Sequence, residues 1–195
     1  PRYGVWRGKG MVYLAPNQKR LGIVQDISQH TIKSIQQAQQ LGGWQTLPSQ
    51  DLFDVEYWEL EQAKLKSLAK TPEFEGKVVV VSGAASGIGR ACVQEFVDKG
   101  AVVLALDIAQ DFAAQFDSAC VLPVHCDVTD SVAIDDALQQ MVVEFGGIDI
   151  VISNAGSFPA SQSLEDMDDE NWESSLRLNL GSHMKLLRCA TPFLR

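Results

Sequence analysis

A run of four valines, Val78–Val81, followed at once by the glycine-rich segment Ser82–Gly89, constrains the fold of this chain more than any other feature of its sequence. An unbroken β-branched run is typical of a strand buried on both faces of a parallel sheet. The glycines follow the pattern G-x-x-x-G-x-G, and residues 88–98 after them have a helical pattern. The sequence therefore predicts a strand, a tight turn and a helix in direct succession.

Strands and helices continue to alternate after this unit. Further strands are predicted at 101–107, 121–126 and 148–153, helices at 88–98, 131–145 and 169–193, and a short helix or turn at 111–118. Such alternation indicates an α/β fold, in which right-handed crossovers place helices on both faces of a parallel sheet.

The first 76 residues have a different pattern. The predicted elements are a hairpin, two helices and a linker: Tyr3–Trp6 with Met11–Leu14, residues 17–41, a helix that starts after Pro48 with Asp51 as its N-cap and runs to residue 69, and residues 71–76. Gly42 and Gly43 would end the first helix, and the second would carry Phe53, Tyr57 and Leu60 on one side. We therefore expect a small, mostly helical segment before the α/β part.

The charge of the chain excludes some classes of function. The net charge is −9; residues 1–76 carry nine Lys or Arg and eight Asp or Glu, whereas residues 77–195 carry seven and seventeen. Nucleic-acid binding is not expected, because it needs clustered cations. No apolar run approaches the roughly 20 residues that span a bilayer, so no membrane partner is expected either.

The cysteines and histidines predict neither a disulfide framework nor a metal site. Cys92, Cys120, Cys126 and Cys189 are isolated, which fits the reducing cytoplasm. The three histidines, His30, His125 and His183, are far apart in the sequence.

The segment Ser82–Gly89 would bring free backbone N–H groups and the positive end of the following helix to one point. Such a point binds an anion such as a pyrophosphate, and glycine lets the backbone approach it closely. A glycine pattern alone is a weak signal, but here a strand precedes it and a helix follows it. The residues predicted to bind a dinucleotide there are Gly83, Ser86, Gly87, Ile88 and Gly89.

Asp107 ends the second predicted strand of the α/β part. A carboxylate at this place can accept hydrogen bonds from both hydroxyls of an adenosine ribose, and it would repel a 2′-phosphate. Neither Ser86 nor Ile108 is a cation that could bind that phosphate. The residues therefore favour NAD over NADP, with Asp107 and Ile108 as cofactor contacts; the alternative is a surface Asp at a strand end.

The glycine spacing and three further motifs resemble those of the short-chain dehydrogenase/reductase family over residues 77–195. Asp127-Val128 is similar to the pair that contacts the adenine, and Asn154-Ala155-Gly156 to the end of the family's N-N-A-G motif. Two positions depart from the family pattern. Ser153 replaces the first Asn of N-N-A-G, and Ser82 replaces the Thr that is usual at the start of the glycine-rich motif. The resemblance implies the N-terminal part of a doubly wound Rossmann fold with strand order 3-2-1-4, and further cofactor-binding residues at Asp127, Val128, Asn154, Ala155 and Gly156.

The resemblance also implies a catalytic Asn-Ser-Tyr-Lys tetrad, of which Asn179 matches the Asn. Its backbone carbonyl would hold a water of the proton relay; the alternative is a buried Asn that stabilises a helix kink. The tyrosines, Tyr3, Tyr13 and Tyr57, all precede the glycine loop, and none stands in Tyr-x-x-x-Lys. We therefore expect a fragment truncated before the Ser and Tyr-x-x-x-Lys elements, which would be inactive by itself.

Residues 1–76 resemble the connecting region of bifunctional rhamnulose-1-phosphate aldolase/alcohol dehydrogenases, in which an aldolase-like domain precedes the dehydrogenase. The resemblance implies that residues 1–41 are the tail of the aldolase-like domain and residues 42–76 a bridge. Simpler class II aldolases carry a His-Gly pair at the turn where this chain has Lys9. The replacement of that histidine by a lysine argues against a metal site here. The resemblance depends on the hairpin and on the segments Ile27–Thr31, Leu41–Trp44, Asp54–Trp58 and Leu60–Lys64.

Together these features predict a cytoplasmic fragment of an NAD-dependent dehydrogenase that acts on a small alcohol or aldehyde, with lactaldehyde as the substrate that the aldolase fusion implies. The chain starts at Pro1 without a Met, so we expect it to begin inside a longer gene product, and the full-length protein to be a homo-oligomer. A non-catalytic dinucleotide-binding module is the alternative. A sugar-nucleotide epimerase or dehydratase is disfavoured, because those enzymes more often resemble G-x-x-G-x-x-G.

The predicted strand order leaves the strand at 148–153 on an edge of the sheet. The last helix would also have an apolar side without a partner. That side consists of Trp172, Leu176, Leu180, Met184 and Leu187.

Overall fold

The chain divides into two compact units, residues 1–72 and residues 73–195. The computed structural model describes residues 2–58, 71–158 and 160–194. The boundary between the units lies in the predicted linker, residues 71–76. The change of charge along the sequence therefore coincides with a structural boundary to within a few residues.

The first unit begins with a hairpin and a long helix. Asn17 caps this helix, since its side-chain oxygen accepts a hydrogen bond from the Arg20 N–H at 2.9 Å, and Gly42 ends it at φ +133°. None of the helices in the described ranges is long and apolar enough to cross a membrane. The elements of this unit are β1 (Tyr3–Trp6), which pairs antiparallel with β2 (Gly10–Tyr13), α1 (Gln18–Leu41) and α2 (Ser49–Glu56).

The N-cap of α2 differs from its prediction. Pro48 is the N-cap, so the prediction of Asp51 as the N-cap is wrong, and Asp51 instead lies in the first turn. Proline can precede a helix because the N–H it lacks would have no intrahelical acceptor there. The helix itself begins at Ser49, which confirms its predicted start after Pro48.

The end of α2 also differs from its prediction. α2 ends at Glu56, and Tyr57 stacks on Phe53 with 4.5 Å between ring centroids. The rest of the predicted helix falls on residues 59–70, which lie outside the described residues. The same holds for Leu60 and for the segment Leu60–Lys64.

The described part of the second unit is a parallel sheet with alternating helices. Its strands are parallel in the order β5-β4-β3-β6, which confirms the α/β fold and the predicted order 3-2-1-4. Short 3₁₀ turns occur at Phe112–Gln115, Leu164–Asp166 and Thr191–Phe193. The longer elements are β3 (Val78–Ser82), α3 (Gly87–Asp98), β4 (Val102–Asp107), β5 (Val121–His125), α4 (Ser131–Phe145), β6 (Ile150–Ile152), α5 (Asp169–Leu176) and α6 (Ser182–Ala190).

The all-valine strand β3 is buried on both faces, as its sequence predicts. Because side chains alternate along a strand, its valines divide between two hydrophobic clusters. One cluster includes α4 and α6, and the other includes α3. Central members are Val80, Leu138 and Leu186 in the first cluster and Val79, Val93 and Phe112 in the second.

The edge strand β6 is shorter than predicted. Only residues 150–152 pair with β3, so the predicted range 148–153 is wrong at both ends. Ile148 does not pair with β3 and forms an isolated parallel bridge with Leu194. Among the described residues, β3 is the one strand that pairs with Ile150–Ile152.

The predicted helix at 169–193 is confirmed in its extent, but it is not α-helical throughout. A π-turn at Arg177–Gly181 separates α5 from α6, and the Ser182 N–H donates to the Arg177 carbonyl five residues earlier. The sequence did not indicate this π-turn, because the apolar side chains keep a spacing of four through it, which also fits an α-helix. These side chains are 43% to 68% exposed in the described structure: Trp172, Leu176, Leu180, Met184 and Leu187.

Candidate functional site

A cleft of about 510 Å³ opens at the carboxyl ends of the parallel strands. β3 lies between β4 and β6, so the cleft is at the switch point where α/β sheets of this kind bind ligands. The predicted cofactor residues in its walls are Gly83, Ser86, Asp107, Ile108, Asp127, Val128, Asn154, Ala155 and Gly156. Wall residues that the sequence reasoning missed are Leu106, Cys126, Thr129, Ser157, Ser174, Arg177 and Leu178.

The remaining predicted cofactor residues, Gly87, Ile88 and Gly89, form the first turn of α3 and do not line the cleft walls. The first intrahelical hydrogen bond runs from the Arg90 N–H to the Ser86 carbonyl at 3.2 Å. The N–H groups of these three residues therefore precede any intrahelical acceptor. They supply donors and a positive helix end at the β3 edge of the cleft.

The three loop glycines are required for different reasons. A Cβ on Gly89 would overlap the Gly83 carbonyl, and a Cβ on Gly83 would lie 2.9 Å from Asn154 Nδ2. A Cβ on Gly87 would meet nothing within 4 Å, although its φ of +54° disfavours other residues. Gly89 thus allows the start of α3 to pack against the Gly83 carbonyl, and Gly83 allows the loop to pack against Asn154. Gly87 instead leaves open space at the N-terminus of α3.

Asp107 ties two loops together at the end of β4. Its Oδ2 accepts a hydrogen bond from the Ala85 N–H and its Oδ1 one from the Ala109 N–H, both at 2.9 Å. Each carboxylate oxygen keeps a further lone pair with which to accept. The carboxylate is therefore held in place and can still bind a hydroxyl in the cleft.

The loop after β5 forms another wall. Asp127 Oδ1 accepts from the Thr129 N–H at 2.8 Å, which orders the loop, and Val128 is buried beneath it. Burial raises the pKa of the neighbouring Cys126 thiol to about 11, and the carboxylates of Asp127 and Asp130 contribute to the rise. Cys126 is therefore a neutral, apolar part of the wall near pH 7.

The end of β6 is fastened to the end of β3. The buried Ser82 Oγ accepts from the backbone N–H groups of Asn154 at 2.9 Å and Ala155 at 3.0 Å. The Asn154 side-chain amide donates to the Ser82 carbonyl at 3.0 Å. The hydroxyl of Ser82, which replaces the Thr usual in the family, thus holds the two strand ends on either side of the switch point.

Asn179, the predicted catalytic residue, lies in the π-turn beside the cleft. Its Oδ1 accepts from the Ser157 N–H at 2.9 Å, and its Nδ2 donates to the Ser157 carbonyl at 2.8 Å and to Ser175 Oγ at 3.1 Å. The side chain therefore binds the chain that leaves β6, a contact between distant residues that no sequence signal indicates.

The charges in the cleft are mostly negative. Asp107 and Asp127 supply carboxylates, and Arg177 is the one cation among the described residues that line the walls. The sequence reasoning missed Arg177 because it lies on a helix far from the strand ends in sequence. No group of three or more His, Cys, Asp or Glu within the described ranges could hold a metal ion.

Comparisons with known proteins agree with this fold and site. Residues 77–195 match the family model described as short chain dehydrogenase, and residues 1–65 match the model described as Aldolase class II, second domain. The L-fucose dehydrogenase of Oryctolagus cuniculus is 37% identical over 130 residues, which are 66% of this chain and 46% of that protein. The "Uncharacterized oxidoreductase YuxG" of Bacillus subtilis (strain 168) is 28% identical over 186 residues, 91% of this chain and 27% of that protein.

A solved structure has the same fold. The crystal structure titled "Short-chain dehydrogenase/reductase SDR:Glucose/ribitol dehydrogenase", from Brucella melitensis, superposes with a TM-score of 0.60 at 28% identity, covering 65% of this chain and 55% of that one. The chain spans less than half the length of the two curated relatives. Because the family model covers residues 77–195, and the aldolase model covers much of what precedes them, the chain belongs to the short-chain dehydrogenase family and carries an aldolase class II segment before its dehydrogenase part.

Proposed function

We propose that residues 77–195 form the NAD-binding half of an oxidoreductase whose full-length form transfers a hydride between NAD and a small alcohol or aldehyde. One observation carries the proposal. The N-terminus of α3 and the carboxylate of Asp107 meet at the switch-point cleft, linked through Ala85. A pyrophosphate needs the first group and an adenosine ribose needs the second.

The residues of the cleft fit this cofactor. The open space at Gly87 would admit phosphate oxygens to the N–H groups of Gly87, Ile88 and Gly89. Asp107 would accept from the ribose hydroxyls, and Val128 would pack against the adenine. The bound nicotinamide supplies the acceptor or donor of the hydride, and the protein supplies its position.

The choice of NAD rests on charge. The ribose position is beside the Asp107 carboxylate, which a 2′-phosphate would approach at a cost in electrostatic free energy. Ser86 and Ile108, which border this position, carry no charge that could offset the cost. Arg177 also lines the cleft and is a cation that could attract a 2′-phosphate. The affinity for NADPH relative to NADH therefore tests the choice of NAD.

The proposal of lactaldehyde as the substrate is supported by the first unit. Rhamnulose-1-phosphate aldolases release lactaldehyde, and residues 1–65 match an aldolase class II segment. We assign residues 1–41 to the tail of an aldolase-like domain and residues 42–76 to a bridge. In the full-length protein, which would act as a cytoplasmic homo-oligomer, the hydrate of lactaldehyde would lose a hydride to NAD and a proton to the protein, giving lactic acid. The acid would then release a second proton to water and leave as lactate.

The proposal is tested by calorimetric titration of the 195-residue chain with NADH and with NADPH. We expect NADH to bind more tightly. Binding of neither dinucleotide would refute the cofactor site, and tighter binding of NADPH would refute the choice of NAD. An assay of the full-length protein with NAD and lactaldehyde then separates an enzyme from a non-catalytic dinucleotide-binding module, since the module would produce no NADH.

A further inference from the structure

A hydrogen bond joins Ser153 and His183 at the end of β6. Ser153 Oγ lies 2.5 Å from His183 Nδ1, and both side chains are partly buried. Ser153 directly follows β6 and directly precedes Asn154, which lines the cleft. His183 lies on α6 and does not line the cleft, so its influence on a ligand would pass through Ser153.

A second tie holds the other end of the same segment. Asn179, four residues before His183, binds both the N–H and the carbonyl of Ser157. The five-residue stretch from Ser153 to Ser157, here named the 153–157 loop, is therefore held at both ends by side chains from the π-turn and α6. Between these ends, Asn154 and Ala155 donate their N–H groups to Ser82 Oγ.

On its inner side the 153–157 loop is held to the end of β3 by the hydrogen bonds of Asn154 and Ala155 to Ser82. Among the described strands, β3 is the one that pairs with β6, so the loop that follows β6 has no neighbouring strand on its outer side. Its exposed residues include Gly156 and Ser157. In the described structure, the helix ties at Ser153 and Ser157 therefore hold this wall from the side opposite β3.

The position of the loop indicates which half of the cofactor it would border. The proposed adenosine contacts lie on one side of β3, since Asp107 ends β4 and Val128 follows β5. With the pyrophosphate at the N-terminus of α3, the rest of an extended dinucleotide must continue on the β6 side. The 153–157 loop is the described wall on that side.

We propose that His183 is a positioning residue that holds the 153–157 loop through Ser153 and thereby shapes the site for the nicotinamide half of the cofactor. The part that concerns nicotinamide rests on the proposed function. The hydrogen bond itself and its effect on the loop do not depend on it.

Three substitutions test the proposal. His183→Phe keeps a planar ring without the hydrogen bond, and Ser153→Ala removes the partner oxygen. His183→Asn is the matched conservative variant, since its amide group takes about the position of the imidazole Nδ1 and can donate or accept. The two residues act as one unit if His183→Phe and Ser153→Ala change hydrogen exchange and NADH affinity by the same factor, and if the double variant changes them by no more than either single variant.

The first measurement is hydrogen exchange of the backbone amides in the 153–157 loop. We expect roughly three- to tenfold faster exchange in His183→Phe and in Ser153→Ala, the size that corresponds to loss of one hydrogen bond, and nearly wild-type exchange in His183→Asn. Unchanged exchange in Ser153→Ala, the smallest change and the one least disturbing to the fold, would overturn the proposal. Equal effects of His183→Asn and His183→Phe would also overturn it, because loss of ring packing would then explain both.

The second measurement compares binding of NADH with binding of ADP, which contains the adenosine and both phosphates but no nicotinamide riboside. We expect His183→Phe and Ser153→Ala to weaken NADH binding roughly three- to tenfold and ADP binding by less than about twofold. Equal losses for both ligands would indicate a general structural effect and overturn the nicotinamide role. If the wild-type chain binds no NADH, the proposed function and the nicotinamide role both fail, and the exchange measurement still decides whether His183 holds the loop.

Discussion

Asp107 and Ala85, 22 residues apart in the chain, are joined by a hydrogen bond of 2.9 Å from the Ala85 N–H to Asp107 Oδ2. The other carboxylate oxygen accepts from the Ala109 N–H. Asp107 thus fixes the glycine loop and the loop after β4, in addition to presenting its charge to the cleft. A substitution at Asp107 changes the shape and the charge of the cleft together.

The first prediction concerns the choice of cofactor. Asp107→Ala combined with Ile108→Arg should raise the affinity for NADPH relative to NADH by at least about tenfold, the size of one charge-assisted hydrogen bond. NADH binding should weaken in absolute terms as well, because the tie to Ala85 is lost. Dissociation constants from calorimetry measure both effects.

Asp117→Ala is the control for this experiment. It removes one exposed carboxylate outside the cleft walls, so the net charge changes as in Asp107→Ala while the site does not. If the double variant kept the wild-type ratio of NADPH affinity to NADH affinity, Asp107 would not be the residue that binds the ribose and determines the cofactor preference.

The second prediction separates two glycines of one loop. Gly89→Ala should lower the free energy of unfolding by roughly 1–3 kcal/mol, because its Cβ would overlap the Gly83 carbonyl. Gly87→Ala should cost only about 1 kcal/mol for its left-handed backbone, yet weaken NADH binding strongly, since its Cβ occupies the open space. Thermal unfolding and NADH titration distinguish the two losses.

Gly8→Ala is matched to Gly87→Ala, because Gly8 also has a positive φ, +75°, and a Cβ added there would likewise meet nothing within 4 Å. It should carry the same backbone cost and leave NADH binding unchanged. Wild-type NADH affinity in Gly87→Ala would show that the phosphates do not approach this turn.

The parts of the fold that the sequence predicts well are those with local signals at both ends. α4 runs from Ser131 to Phe145 as predicted, because Asp130 caps its start and Gly146, at φ +86°, ends it. The π-turn at Arg177–Gly181 has no such signal, because its apolar spacing also fits an α-helix. Propensity likewise misplaced the cap of α2, which is Pro48 and not Asp51.

The residues of the candidate site also fall into those that the sequence could identify and those that it could not. The loop glycines and Asp107 could be identified because the pattern of strand, turn and helix fixes where they lie. Arg177 could not, because it reaches the cleft only through the packing of helix on sheet. The same is true of Ser153 and His183, which are 30 residues apart and meet only because α6 packs beside the end of β6.

The third prediction concerns the opposite end of the sheet, where Asp149 holds β3. Its Oδ2 accepts from the Val78 N–H and its Oδ1 from Lys77 Nζ, both at 3.0 Å. Asp149→Ala should lower the free energy of unfolding by about 1–3 kcal/mol, because the buried Val78 N–H loses its acceptor. Lys77→Ala should cost less than about 1 kcal/mol, since that ammonium group is half exposed.

Urea unfolding of the two variants measures this difference. Equal losses in Asp149→Ala and Lys77→Ala would mean that the ion pair, and not the hydrogen bond to the Val78 N–H, carries the effect.

The fourth prediction follows from the pKa of Cys126, which burial raises from 9.0 to about 11. Between these two values the unfolded chain loses the thiol proton while the folded chain keeps it. The unfolded state then binds fewer protons, so the free energy of unfolding falls as the pH rises through this range. Cys126→Ala should show a smaller decline.

Urea unfolding from about pH 8 to about pH 11 provides the comparison. Other groups that titrate there are common to both proteins, so the difference between them reports on Cys126. An identical decline in the two proteins would contradict the raised pKa.

The last prediction concerns turnover by the 195-residue chain. Hydride transfer from an aldehyde hydrate or alcohol to NAD releases a proton, which a positioned base must accept. In the family that base is the Tyr of Tyr-x-x-x-Lys, and the tyrosines here, Tyr3, Tyr13 and Tyr57, have no such pair and all precede the glycine loop. Asn179 cannot replace it, because an amide does not titrate near neutral pH and its side chain is bound to Ser157. The chain should therefore bind NADH yet produce none from NAD and lactaldehyde above a protein-free blank. Production of NADH in proportion to the concentration of the pure chain, at the same rate in Asn179→Ala, would mean that another group in the cleft accepts the proton.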